Sequence, residues 1–533
     1  MLAALAIALG LCLTRGHASI ILSPVISATT IISNTPPVDA SQPVAEAFIS
    51  FAIEFGHFPD YAGNRSTPNT FSNTLLDNIA DITGTKPYIR VGGTSADEAV
   101  YNVSLESSVH RPQQPTLDIP TFPTDMKYIE IGNTFFEGYN NFLGSKFSHG
   151  FNLGLAGISV RGWESLLKTI PVACQALEGK LLYWEYGNEP DLYSNPSNRG
   201  KIRNNGWDDE EYVNQWLNGT RQIKATLDQA CSTTDTADTG YLGPSFWSPD
   251  DSALTASGTW QAGLNADNNV KLFSFHNYIA SESDPSVSLQ GTLMNHSVTM
   301  ASIAKNLQGY DFLQSTGPPL VITETNSLYD TGLAGVSNVF GAALWTLDYS
   351  LWCASQNITR IHMQQGNDFL YDSWQAIDTP KAAKGTRPPY YGNIAAAASI
   401  GNYTSKVKIA NFPLGSDTDV AYAAYVNDML VRITVINMQA FDSCNGQLVR
   451  PAKTYQFTVP RTSSTKVGVR RLLADGSDST SGISFDGFSY EYDLQEGMPV
   501  LLSNITRGET LPIIDGVATV RLMDSSAAIL DFL

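Results

Sequence analysis

A chain of 533 residues with 43% hydrophobic and only 16% charged residues is too apolar to be disordered and too long for one ordinary core. Two packed units are the default at that length. The formal charge of −19 repels long acidic polysaccharides and excludes nucleic acid as a partner.

Residues 1–18 form an apolar run too short to cross a bilayer and end in the small residues Gly16 and Ala18. They read as a secretory signal cut near Ala18, although Arg15 follows the apolar stretch instead of preceding it. The segment 19–43 holds a strand-like run, 20–32, able to join either unit that follows. No other run qualifies as a membrane span; the nearest, 334–355, is interrupted by Asn338 and Asp348. N-x-S/T sequons at Asn64, Asn102, Asn218, Asn295, Asn357, Asn402 and Asn504 fit a secreted, extracellular glycoprotein. Once Cys12 leaves with the signal, Cys174, Cys231, Cys353 and Cys444 remain for disulfides. A Cys174–Cys231 bridge is plausible, because the two flank the fourth predicted strand and its helix, and Cys353–Cys444 would then join the two units. No Cys-x-x-Cys or His-x-x-x-His spacing suggests a metal, and no cofactor is expected.

Between 44 and 400, apolar or β-branched runs ending in polar residues recur at 47–56, 88–94, 151–157, 182–188, 241–246, 272–278, 320–325 and 358–364. Helix-like stretches such as 162–175, 208–230 and 336–355 separate them. Strand and helix alternating eight times predict a (β/α)8 TIM barrel. From 401 to 533 the period changes to two. Asn427-Asp428, Asp486-Gly487 and Asp515-Gly516 mark hairpins, with Val431, Ile433 and Val435 on one face and Arg432 and Thr434 on the other. This part reads as an all-β sandwich.

Active sites in such barrels lie at the C-terminal strand ends, so an acidic residue where an apolar strand stops is a candidate. Strand four ends in Tyr186-Gly187-Asn188-Glu189-Pro190, and strand seven in Thr323-Glu324-Thr325-Asn326. Three βα repeats separate them, which sets the carboxylates opposite each other across the mouth. At ~5–5.5 Å one would attack an anomeric carbon while the other protonates the leaving oxygen. Either glutamate alone reads more readily as a solvated loop residue; the two together favour catalysis. Glu54, at the end of strand one, is a carboxylate inside an apolar run and needs partners, either sugar hydroxyls or a structural ion pair. Arg90 could be that partner, or could steady Glu324 or touch substrate. Tyr371 and Trp374, after strand eight, are pocket-wall candidates by position alone.

With Arg90-Val91-Gly92-Gly93-Thr94 and Phe275-His276-Asn277-Tyr278 added to those two motifs, the chain resembles glycoside hydrolase family 79, the β-glucuronidase and heparanase group of a retaining clan. The resemblance spans the barrel and, more loosely, the C-terminal part. It implies Glu189 as acid/base, Glu324 as nucleophile, Asn188 as donor to a sugar 2-hydroxyl and Tyr278 as donor to Glu324. It also places recognition of a substrate carboxylate in the loop after Glu324, Asn326–Tyr329, where backbone N–H groups and the Tyr329 phenol are the candidates. The implied activity is exo-β-glucuronidase on terminal glucuronic acid, or its 4-O-methyl form, of glycans. Three alternatives compete: an endo-acting heparanase-like hydrolase, another β-glycosidase of the clan, and a non-catalytic carbohydrate-binding protein. The first needs a cationic cleft, and only Arg470-Arg471 forms a basic pair. The last would have lost a catalytic carboxylate.

Overall fold

A computed structural model describes residues 25–26, 29–112, 128–195, 202–231, 235–250, 253–313, 317–444, 449–459, 464–505 and 507–533. The signal read at 1–18 lies outside them. Eight parallel strands close into a barrel in chain order: β1 (Ile49–Glu54), β2 (Ile89–Gly92), β3 (Phe147–Phe151), β4 (Leu181–Tyr186), β5 (Tyr241–Phe246), β6 (Val270–Ser281), β7 (Leu320–Tyr329) and β8 (Ile361–Gln365). The ring closes where Ile361 pairs with Ile49. The surrounding helices include α1 (Thr70–Thr83), α2 (Val160–Leu177), α3 (Asp209–Ala230), α4 (His296–Tyr310), α5 (Phe340–Ser355) and α6 (Pro388–Ile400). The first four start on side-chain caps: Asn69, Ser159, Asp208 and Asn295 each accept from the backbone N–H three residues on.

Several sequence expectations need correction. The third strand is not 151–157 but Phe147–Phe151. The apolar Leu153 and Leu155 that suggested a strand are buried in a turn, whose N–H groups bond the Asp97 and Asn152 side chains. The segment after Glu324 is not a loop: β7 runs on to Tyr329, with Asn326, Leu328 and Tyr329 registered against β6. It pairs with β6, and the Ser327 N–H donates to Asn326 Oδ1 at 2.8 Å. Another concerns the cysteines. Cys174 and Cys231 are bridged, but no bond joins Cys353, buried in α5, to Cys444, exposed in the C-terminal part.

Beyond α6 come β9 (Lys408–Ser416), β10 (Asp419–Val426), β11 (Met429–Asn437), β12 (Ala452–Thr458), β13 (Lys466–Leu473), β14 (Glu509–Ile514), β15 (Val517–Met523) and β16 (Ser526–Phe532). One antiparallel layer, β9-β10-β11-β16-β13, continues through β14 into a second, β14-β15-β12. The short strands Val25–Ile26 and Thr30–Ile31 pair parallel with β12. The three predicted hairpins are present, and Asn427 (φ 51°) and Asp428 (φ 58°) adopt the left-handed backbone that a two-residue turn demands. Ile433, Val435, Tyr455, Phe457 and Leu530 fill the core between the layers. Val431 does not join them. A bulge beside Ala424 turns it to the other face, which packs on the barrel helices.

At that junction His296 of α4 places Nδ1 2.9 Å from Oδ1 of Asp348 in α5, and the Tyr422 phenol of β10 donates to the same oxygen at 2.6 Å. Burial lowers the His296 pKa, but the charge and hydrogen bond of Asp348, with Asp417 nearby, outweigh it and the net shift is upward. A histidine raised in this way stabilises the fold fully below its unfolded pKa of ~6.5 and loses that contribution as pH rises through the folded value. His296→Gln is therefore expected to lower Tm by several degrees at pH 5 and by much less at pH 8.5. Thermal unfolding of both proteins across that range checks this; equal losses at the two ends would refute it.

Among the described residues, no helix is long and apolar enough to cross a membrane.

Candidate active site

Glu324 lies midway along β7 and Glu189 just beyond the end of β4, and each offers an oxygen within 4.8 Å of the other's. That separation suits direct attack by one carboxylate and leaves no room for the intervening water of an inverting enzyme. The Glu189 backbone is left-handed (φ 50°, ψ 51°), a conformation a side-chain-bearing residue adopts at a cost of ~1–3 kcal/mol. Its surroundings enforce it. Pro190 opens a short 3-10 turn, the Glu189 N–H donates to the Ser245 carbonyl at 3.0 Å, and the Asn188 N–H donates to Asp97 at 2.9 Å. Gly187 before them has φ 90°, and a Cβ there would come within 2.8 Å of Leu153.

The two carboxylates have different environments. Glu324 accepts from Arg90 Nη1 at 2.6 Å and from the Tyr278 phenol at 2.8 Å. Burial alone would raise its pKa; the charges of His276 and Arg90 and the two hydrogen bonds reverse that, and it lies below the ordinary carboxylate range. Burial, then the charge of Glu324, raises Tyr278 well above the usual phenol value, so it stays a proton donor. The Oε1 atom of Glu189 faces His276 Nδ1 at 2.8 Å. Glu324 is thus held as an anion, while Glu189 lies against an imidazole.

The wider cavity, of about 700 Å³, is lined by Glu54, Glu189, Glu324, Trp247, Tyr278, Tyr329 and Tyr371, with Gln364, Asn195 and Asp330 among the rest. Glu54 does not meet Arg90: it accepts from the Ser95 N–H at 2.8 Å and from Gln364 Nε2 at 3.1 Å. A Cβ on Gly93 would collide with its carboxyl group, so that glycine makes its position possible. Arg90 does not line the cavity. It lies fully buried beneath it, with Nε and Nη2 on Glu185 at 2.8 and 3.1 Å and Nη2 also on Asn188 Oδ1 at 2.7 Å. Of its possible roles, the geometry is that of steadying Glu324 and Asn188. The Asn188 amide nitrogen is left buried without a partner among the described residues. Trp374 is a core residue: it is fully buried, packs edge-on against Phe51 and Tyr61, and donates to Ser72.

Sequence reasoning missed four participants: Glu185, Asp97, Trp247 and the role of His276. Glu185 carries the cue that exposed Glu54, a carboxylate inside an apolar strand. The others have no local signal, because their roles arise from contacts between separate βα loops.

With the site in view, comparison with known proteins narrows the family. Residues 421–529 match the glycosyl hydrolase family 79 C-terminal beta domain. A β-glucuronidase of Neurospora crassa is 45% identical over 519 residues, covering 91% of each chain. The chain belongs to glycoside hydrolase family 79. A second family 79 relative, a β-glucuronidase of Aspergillus niger, is also 45% identical, over 94% of this chain and 93% of its own. The crystal structure of a 4-O-α-L-rhamnosyl-β-D-glucuronidase from Fusarium oxysporum superposes with a TM-score of 0.74 at 23% identity, covering 95% of this chain and 100% of that one, and supports the fold.

Proposed function

We propose that this family 79 chain is a retaining exo-β-glucuronidase. The carrying observation is the pair Glu189–Glu324, two unlike carboxylates within 4.8 Å in a cavity sized for a sugar and the start of its aglycone. Glu324 attacks the anomeric carbon while Glu189 gives its proton to the departing oxygen; Glu189 then takes a proton from the water that releases the sugar. Asn188 is the donor to the 2-hydroxyl, and Glu54 accepts from other sugar hydroxyls. Two relatives named β-glucuronidase, at 45% identity over most of the chain, support the choice of sugar.

Among the described residues lining the cavity there is no lysine or arginine, which supports neutral donors as the groups that hold the substrate carboxylate. This weighs against the endo-acting, heparanase-like alternative, whose sulfated substrate calls for cations. Tyr329 is the donor we assign, with Tyr371 lining the same cavity. A hydrogen bond to a charged group is worth ~1.5–3 kcal/mol, so Tyr329→Phe should lower kcat/KM for an aryl β-glucuronide roughly ten- to a hundredfold. The matching β-glucoside should change little. Parallel kinetics on the two substrates test this, and equal losses would move acid recognition away from Tyr329. Hydrolysis of the glucuronide beside its glucoside and xyloside by the wild-type protein tests the activity itself.

The chain is also read as secreted and N-glycosylated. All seven sequon asparagines are at least partly exposed, which supports this. A fall in mass on enzymatic release of N-glycans from the protein made by its natural host is the expected result; an unchanged mass would refute it.

A further inference from the structure

Asp330 is the first residue beyond β7, directly after Tyr329, and both line the sugar cavity. In a continuing strand their side chains would point to opposite faces. Asp330 instead has a left-handed backbone (φ 71°), which breaks that alternation, and the two residues border the same space. The position is tied on both sides. The Tyr371 phenol donates to the Asp330 carbonyl at 3.5 Å. The next residue, Thr331, donates through its N–H and its hydroxyl to Glu282, at 3.1 Å each. Glu282 follows the end of β6, the strand beside β7.

A sugar acid whose carboxylate sits on Tyr329 therefore meets the carboxyl group of the neighbouring residue, with that of Glu282 close by. The other titratable groups at this corner are the phenols of Tyr329 and Tyr371, which carry no positive charge. Burial, then the charge of Glu282, raises the Asp330 pKa, so Asp330 keeps its proton to higher pH than a free aspartate does. Glucuronate is an anion above a pH of about 3.5. Protonated Asp330 is a neutral neighbour to it, and ionised Asp330 is a like charge. We propose that Asp330 sets the preference between acidic and neutral sugars according to pH: it admits a glucuronide in acid and works against it as pH rises, while a neutral hexoside is indifferent to it.

The inference rests on the assignment of the substrate carboxylate to Tyr329 and deepens it. Asp330→Asn removes the charge and keeps the shape, and asparagine also accepts a left-handed backbone. Dividing the variant's kcat/KM on p-nitrophenyl β-glucuronide by that of the wild type cancels the titration of Glu189 and Glu324, which both proteins share. That ratio should be near one at pH 3.5 and roughly three to ten at pH 7, arising in KM with kcat within about twofold. On the β-glucoside it should stay flat. A ratio on the glucuronide that does not rise with pH, or one that rises equally on the glucoside, overturns the proposal. If Tyr329→Phe costs both substrates equally, it is the Tyr329 assignment that fails. If the wild-type protein leaves the aryl glucuronide intact, the glycosidase reading fails. Calorimetric binding of D-glucuronate then tests Asp330 on its own: tighter binding to the variant at pH 7 but not at pH 3.5 is expected, and equal affinities at both overturn the inference.

Discussion

Replacing Glu324 by alanine is expected to abolish turnover of aryl β-glucuronides whatever their leaving group, because no covalent intermediate can form. Glu189→Ala should behave differently. A good leaving group departs without protonation, so dinitrophenyl glucuronide should retain a fast first step. Poorer phenols should lose the ~10²–10⁴-fold that general acid catalysis contributes. Azide, which needs no base to activate it, should restore release of the intermediate in the Glu189 variant alone and give the β-glycosyl azide. A β-azide from the Glu324 variant would mean the roles are exchanged. The surroundings already favour the assignment: the residue bonded to both Arg90 and Tyr278 is the one kept as an anion.

Arg90→Met should be nearly as damaging for a different reason. Arg90 is fully buried and its guanidinium bonds Glu185 and Glu324 together. Removing one member of such a cluster leaves uncompensated buried charge, and a loss of about 3–5 kcal/mol is expected in chemical denaturation. The milder Arg90→Lys keeps a charge but cannot bridge both acids and Asn188. In that variant Glu324 loses part of what offsets its burial, so its pKa should rise. The nucleophile must be ionised, so the acid limb of kcat/KM should move to higher pH. The stability linkage has the matching sign: a depressed carboxylate stabilises above its unfolded pKa, and that contribution disappears as pH falls through the folded value. An unmoved acid limb in the lysine variant would remove Arg90 from control of Glu324.

The barrel was legible because seven of its strands carry their own apolar runs, and the carboxylates because a charged residue at the end of such a run is costly without a purpose. The third strand was misplaced because Ser148, His149 and Gly150 dilute its apolar character, while the turn after it contains two leucines. The strand beyond Glu324 read as a loop because Asn326 and Ser327 are polar; both are buried, with Asn326 donating to the carbonyls of Gln364 and Tyr371. Trp374 illustrates the limit of position as a guide. It follows a barrel strand, as Tyr371 does, yet one lines the cavity and the other is sealed under α1. Arg90 could not be assigned between Glu54 and Glu324 from sequence, since both lie within reach of a β2 residue and only the closed ring decides.

The helix α6 has no solvent-facing side. All of Pro388–Ile400 is buried, including the run Ala395–Ala398, and the strand residues Val420, Tyr422, Ala424, Ile436, Ala527 and Ile529 belong to the same apolar cluster as the barrel. The two architectures therefore melt as one body. Separating them would bare a face of small apolar side chains that water cannot stabilise, and calorimetry should record a single cooperative transition. For the same reason, an attempt to shorten the enzyme to its barrel would yield an insoluble product despite leaving every catalytic residue in place.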